Sequence, residues 1–115
     1  MSALPRTVVF VCLHGAAKSV LAAAALRRLA ARRGVSLDAV ALGTEPDPEI
    51  APAVVQALLE EGVDVRGQRP RAVTRQDLAA AWRAVSFGCD LAPLAPPGLP
   101  VERWDDVPAV SADLA

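Results

Sequence analysis

Cys12, His14 and Lys18 stand close together in the run VCLHGAAKS. The chain of 115 residues has a single His and a single Lys, both within six residues of Cys12, whereas its eleven Arg are spread from Arg6 to Arg103. A thiol at the end of a strand that faces a helix N-terminus and an ammonium group favours its thiolate, the nucleophilic form. Cys12 is therefore a candidate nucleophile. The backbone N–H groups of Leu13, His14, Gly15, Ala16, Ala17 and Lys18, together with the positive end of a helix dipole, would make a concavity suited to an anion.

The flanking residues are of the kind needed to hold such a loop. Residues 7–11, TVVFV, read as a buried strand, because Val and Phe suit a pleated surface and the apolar run is too short for a helix. Residues 17–33 switch to helical period, with Val20, Leu21, Ala24, Ala25, Leu26 and Leu29 on the apolar side, and Gly34 supplies the stop. Residues 36–42 read as a second strand, ended by Gly43 and the turn-forming EPDP. A helix opening at Pro48 or Pro52 runs to Gly62. Residues 63–73 are irregular. Thr74 and Asp77 form an acidic capping box on a short helix to about Trp82, and residues 84–87 are a third strand. The Pro-rich residues 92–100 are irregular, residues 101–104 a fourth short strand, and Asp105, Asp106, Val107 and Pro108 a turn. This alternation predicts one α/β domain over residues 1–115, with a parallel sheet covered on both faces and a ligand crevice at the carboxyl ends of the strands.

Several segments then resemble a known family in order along most of the chain. VVFVCLHGAAKSVLAAA, GTEP from Gly43, EEGVDVRGQRPRAVT, VSFGCD and ERWDD are similar to successive parts of the low-molecular-weight protein tyrosine phosphatases and the related thioredoxin-coupled arsenate reductases. Their loop pattern is Cys, five residues, Arg, Ser. The resemblance implies a doubly wound three-layer sandwich on a four-stranded parallel sheet, with phosphate monoester hydrolysis through a cysteinyl phosphate. It makes Cys12 the nucleophile, Ser19 a donor to the thiolate or a helix cap, and Asp106 or Asp105 the general acid, with Asp106 preferred. Cys89 within GCD matches the first resolving thiol of the reductases, and the second such thiol is missing. A Cys12–Cys89 bridge would need α carbons within about 7 Å.

The chain also departs from the pattern. Lys18 replaces the Arg, a planar fork exchanged for a flexible point charge, so anion binding is expected to outlast turnover. Gly15 stands where the phosphatases carry Asn, and Gly adopts a left-handed backbone without strain. Val107 separates the acidic pair from its Pro. His14 is read as a solvated tip residue ahead of a substrate contact. SADLA starts a final helix without completing it, which points to a shortened domain or to a partner subunit, as in a homodimer, covering that face.

Composition narrows the remaining classes. A net charge of −1 with dispersed Arg gives no footprint for nucleic acid or an anionic membrane. No run approaches the roughly 20 apolar residues of a membrane span, and MSALPRT lacks the apolar stretch of a signal peptide, so the cytoplasm is the expected compartment. Two Cys do not make a disulfide scaffold. No metal or cofactor is expected. The leading expectation is a thiolate phosphatase of reduced competence acting on a phosphorylated substrate. The alternatives are an arsenate reductase using an external thiol, and an inactive module that binds phosphate, arsenate or a protein partner.

Overall fold

The computed structural model describes residues 6–104. It holds four parallel strands in the order β2-β1-β3-β4, with β1 Arg6–Cys12, β2 Leu37–Gly43, β3 Arg83–Ser86 and β4 Val101–Arg103. The helices are α1 Lys18–Arg33, α2 Pro52–Glu60 and α3 Arg75–Ala79. β1 is central, pairing with β2 from Arg6↔Leu37 to Cys12↔Gly43 and with β3 from Val8↔Arg83 to Val11↔Ser86. Because side chains alternate along a strand, β1 feeds both faces of the sheet. Val8, Phe10 and Cys12 pack with Ala23 of α1, and Val9 and Val11 pack with Leu78 of α3 and with Leu91. A third cluster joins Val20 and Ala24 of α1 to Val54 and Leu58 of α2. The result is the expected three-layer α/β sandwich.

Local boundaries follow local chemistry. Gly34 caps α1 at φ 64°, with its own N–H and that of Val35 returning to the last turn. α2 begins at Pro52 rather than Pro48. Thr74 and Asp77 form the reciprocal capping box. α3 nevertheless stops at Ala79, short of Trp82, because the chain must enter the sheet: Trp82 N donates to Thr7 O, and the guanidinium groups of Arg6 and Arg83 lie 5.0 and 4.7 Å from the centre of the Trp82 ring.

The buried face of α1 differs from the expected one. Leu29 is 48% exposed and Ala25 is exposed, while Ser19, Val20, Ala23, Ala24 and Ala30 are buried. The four consecutive alanines at 22–25 blur the helical period. Arg27 then joins the stripe facing the sheet by reaching Asp38 and the Ala39 carbonyl. Trp104 packs as expected, against Phe10 and Phe87. Asp105, Asp106, Val107 and the expected final helix lie outside the described residues. No described helix is long and apolar enough to cross a membrane, and no cluster of metal-ligating side chains occurs among the described residues.

Candidate functional site

Residues 13–17 leave the carboxyl end of β1 and turn into α1, and their shape is imposed by the segment that follows β2. Thr44 N donates to Cys12 O, Glu45 N to Leu13 O, Asp47 N to His14 O and Ala51 N to Ala16 O. Four loop carbonyls thus face residues 44–51. Across a trans peptide the next N–H points the opposite way, so those of Leu13, His14, Gly15 and Ala17 are directed away from that segment. None of these four has a backbone acceptor among the described residues. Unpaired N–H groups gathered at a helix start are an anion-binding device.

Two glycines allow the segments to meet. Gly15 takes φ 61°, the left-handed conformation read from the sequence. A Cβ on Gly15 would come within 2.9 Å of Gly43 N, and a Cβ on Gly43 within 2.7 Å of Gly15 N. The two backbones are in direct contact. Gly43 is held from its far side as well, since its N–H donates to Arg71 O and its carbonyl accepts from Val73 N. Residues 71–73 are tied in turn to α3 by Arg71, whose guanidinium makes two bonds, of 2.9 and 3.0 Å, to the Asp77 carboxylate. That pairing, with Thr74 assisting, holds the Asp77 carboxyl below its ordinary range and raises Arg71.

At the base of the loop Cys12 Sγ lies 3.1 Å from Ser19 Oγ, with Cys12 6% exposed and Ser19 fully buried. Ser19 is turned toward the thiol rather than capping α1, whose N-cap is Ala17 without a side-chain bond. A cavity of about 390 Å³ opens over this pair. Cys12, Leu13, His14, Ala16, Ala17 and Lys18 line it from the loop, Asp47, Ala51, Ala53 and Val54 from the 44–54 stretch, and Phe87 from beyond β3. Lys18 is half-buried there.

The structure therefore brings Cys12, the loop residues 13–18 and Ser19 together. Cys89 is close by but packs on the other side of the sheet, with Val9 and Val11, its sulfur 3.9 Å from Thr44 Oγ1. Both thiols are free. His14 is exposed, as expected of a tip residue, and its Nδ1 lies 3.1 Å from Asp47 Oδ1 and 3.3 Å from Glu45 O. Asp47 was not singled out by the sequence, where EPDP carries only a turn signal; the contact depends on the β1–β2 pairing.

Comparison with known proteins places the fold and the family. The chain is 29% identical over 97 residues to a Halobacterium salinarum protein named "Putative arsenate reductase", covering 83% of this chain and 68% of that protein. Its fold superposes on a thioredoxin-dependent arsenate reductase of Corynebacterium glutamicum with TM-score 0.76 and 29% identity, over 89% of this chain. The chain spans about half the length of that structure, 52%. A low molecular weight protein tyrosine phosphatase from T. tengcongensis shares the fold at TM-score 0.65 and 22% identity, over 71% of this chain and 58% of its own. Residues 7–82 match the low molecular weight phosphotyrosine protein phosphatase family, which includes the loop, both elements that flank it and the stretch through α3, and the chain belongs to that family.

Proposed function

We propose that this protein hydrolyses a phosphate monoester through a cysteinyl phosphate on Cys12. The observation that carries the reading is the set of loop N–H groups without a backbone acceptor at the start of α1, next to a buried thiol hydrogen-bonded to Ser19. Cys12 Sγ attacks phosphorus in line, the amides of residues 13–17 and the Lys18 ammonium take the equatorial oxygens, and Ser19 Oγ–H steadies the sulfur as thiolate when it leaves again. Within the family pattern Asp106 is the proton donor. Lys18 gives charge without a bidentate grip. Loss of a preorganised contact of that kind costs on the order of 2.7–4 kcal/mol in the transition state, so turnover is slow by family standards. The site binds phosphate or arsenate as well as the ester, and two free thiols suit the reducing cytoplasm.

The test is turnover of 4-nitrophenyl phosphate by the wild type and by Cys12→Ser. Turnover that disappears in Cys12→Ser supports the reading. Turnover that survives it, or an inactive wild type that still binds phosphate, overturns it and leaves an oxyanion-binding module. A second reading, reduction of arsenate with an external thiol, is favoured by the two relatives at 29% identity that carry the name arsenate reductase, one of them as "Putative arsenate reductase". It requires arsenite production that depends on both added thiol and Cys12.

A further inference from the structure

A second cavity, of about 150 Å³, lies behind the Cys12 loop, closed in by α1, β2 and residues 63–70. Gly15 lines it, whereas its neighbours His14 and Ala16 line the cavity over Cys12, so the loop separates the two. Its origin is a shortage of side-chain volume. Ala23 and Ala24 of α1, Ala41 of the outer strand β2 and the bare backbone of Gly15 all border it, and none reaches across. Val20, Ile50 and Val65 complete a buried apolar wall. A cavity of this volume with aliphatic walls has room for one aromatic ring, which would supply the dispersion contacts that the small side chains do not.

The mouth of this cavity is polar and cationic. Arg27, Gln68 and Arg69 stand there, all exposed, and no acidic side chain lines the cavity among the described residues. Arg27 is already engaged with Asp38 and the Ala39 carbonyl. Arg69 makes no hydrogen bond or ion pair among the described residues. The segment that presents it is nevertheless built: Arg66 makes two bonds of 2.9 Å to the Asp64 carboxylate, and Gln68 N donates to Val65 O across a turn whose Gly67 takes φ 86°. A guanidinium without a partner, at the edge of an apolar recess the size of a ring, is complementary to an apolar molecule that carries a carboxylate.

We propose that this cavity is a second ligand site, which takes a small apolar carboxylate of about the size of benzoate, its ring against Ala24 and Ala41 and its carboxylate on the Arg69 guanidinium. Because Gly15 is part of the wall, the occupant packs against the back of the turn that orients the loop N–H groups. Occupancy favours that turn and tightens oxyanion binding at Cys12, and bound oxyanion tightens the carboxylate by the same factor. The site itself does not depend on whether an ester is hydrolysed at Cys12; only the coupling rests on the oxyanion reading of the loop.

Benzoate is titrated into the full chain and followed in amide and methyl NMR spectra. Saturable shifts are expected at Gly15, Ala24, Ala41 and Val65, with contacts from the ring protons to the Ala24 and Ala41 methyl groups. Arg69→Gln changes an exposed side chain that holds nothing in the fold; it should weaken benzoate on the order of 10-fold and leave benzyl alcohol, an uncharged ring, within about twofold. Ala41→Val adds two methyl groups on a strand that accepts Val, and should abolish binding of both molecules with the amide spectrum still that of a folded protein. Tungstate affinity should be at least about fivefold tighter in saturating benzoate. Benzoate that tungstate displaces is bound at the Cys12 loop instead and overturns the site, as do shifts that spare Ala24 and Ala41 or undiminished binding in Ala41→Val. Undiminished benzoate binding in Arg69→Gln overturns the carboxylate. Tungstate affinity indifferent to benzoate overturns the coupling, whereas a protein that takes benzoate and no tungstate overturns the oxyanion reading and supports the site.

Discussion

Replacing Gly43 with Ala tests whether the contact between residues 14–15 and Gly43 sets the geometry of the loop. Gly43 is not in the left-handed region, so the effect of Gly43→Ala is steric. The added Cβ would meet Gly15 N at 2.7 Å and His14 C at 2.9 Å, against about 3.4 Å for an ordinary contact, so roughly 0.7 Å must be found. Gly43 has little freedom to yield, being the last residue paired with β1 and held by Arg71 O and Val73 N on the far side. The displacement falls on the loop. Overpacking of this kind costs about 1–3 kcal/mol of stability, and a misplacement near 1 Å costs on the order of 10²-fold in rate. The assay is kcat/KM on 4-nitrophenyl phosphate beside the urea midpoint, with Leu78→Ala as a control. Leu78 is fully buried on the opposite face of the sheet, and its truncation should cost about 2–5 kcal/mol while leaving the rate of the folded protein unchanged. A folded Gly43→Ala variant with wild-type kcat/KM would refute the reasoning and make the close approach incidental.

Lys18→Arg should raise kcat/KM on an aryl phosphate, by on the order of 10²-fold if the fork is restored in full, because the loop already presents its amides; no increase in a folded variant would place the defect elsewhere. Asp77→Asn should destabilise the protein by about 1 kcal/mol at neutral pH, as it removes a cap and an ion pair whose Arg is half exposed. The folded carboxyl lies below its ordinary value, so its contribution is complete above pH 3.8 and is lost as pH falls through the folded pKa. Urea denaturation of both proteins from pH 7 down to pH 2 should therefore show the gap between them closing only at the acid end, and a gap that widens there would contradict the assignment.

What could be read in the sequence was what short-range chemistry determines. The β-branched run ending in Cys12, the turn at Gly15, the stop at Gly34 and the reciprocal cap of Thr74 and Asp77 each depend on neighbours within a few residues, and each is found in place. The face of α1 was misread where the pattern itself is weak, since four alanines in succession carry no direction. Residues that act through pairing distant in sequence could not be found in the same way. Asp47 looks like part of a turn until β2 lies beside β1, and Gly43 looks like the end of a strand until its backbone touches Gly15. Ser19 had two compatible roles, and its burial against Cys12 Sγ favours the thiol.

The loop separates two things that a catalytic motif usually presents as one. Its shape comes from main-chain bonds to residues 44–51 and from the contact of two glycines, so the exposed side chain of Leu13 can vary without closing the cradle. The chemistry proposed for it needs side chains that the backbone cannot replace, a thiol and a cation. In this chain the thiol keeps its place beside Ser19, the cation is a point charge at Lys18, and the imidazole at the tip is tied to a carboxylate on the very segment that shapes the loop. Any displacement of residues 45–47 would thus disturb the amides and His14 at once. Mutations that loosen the 44–51 segment should therefore lower oxyanion affinity and displace the imidazole together.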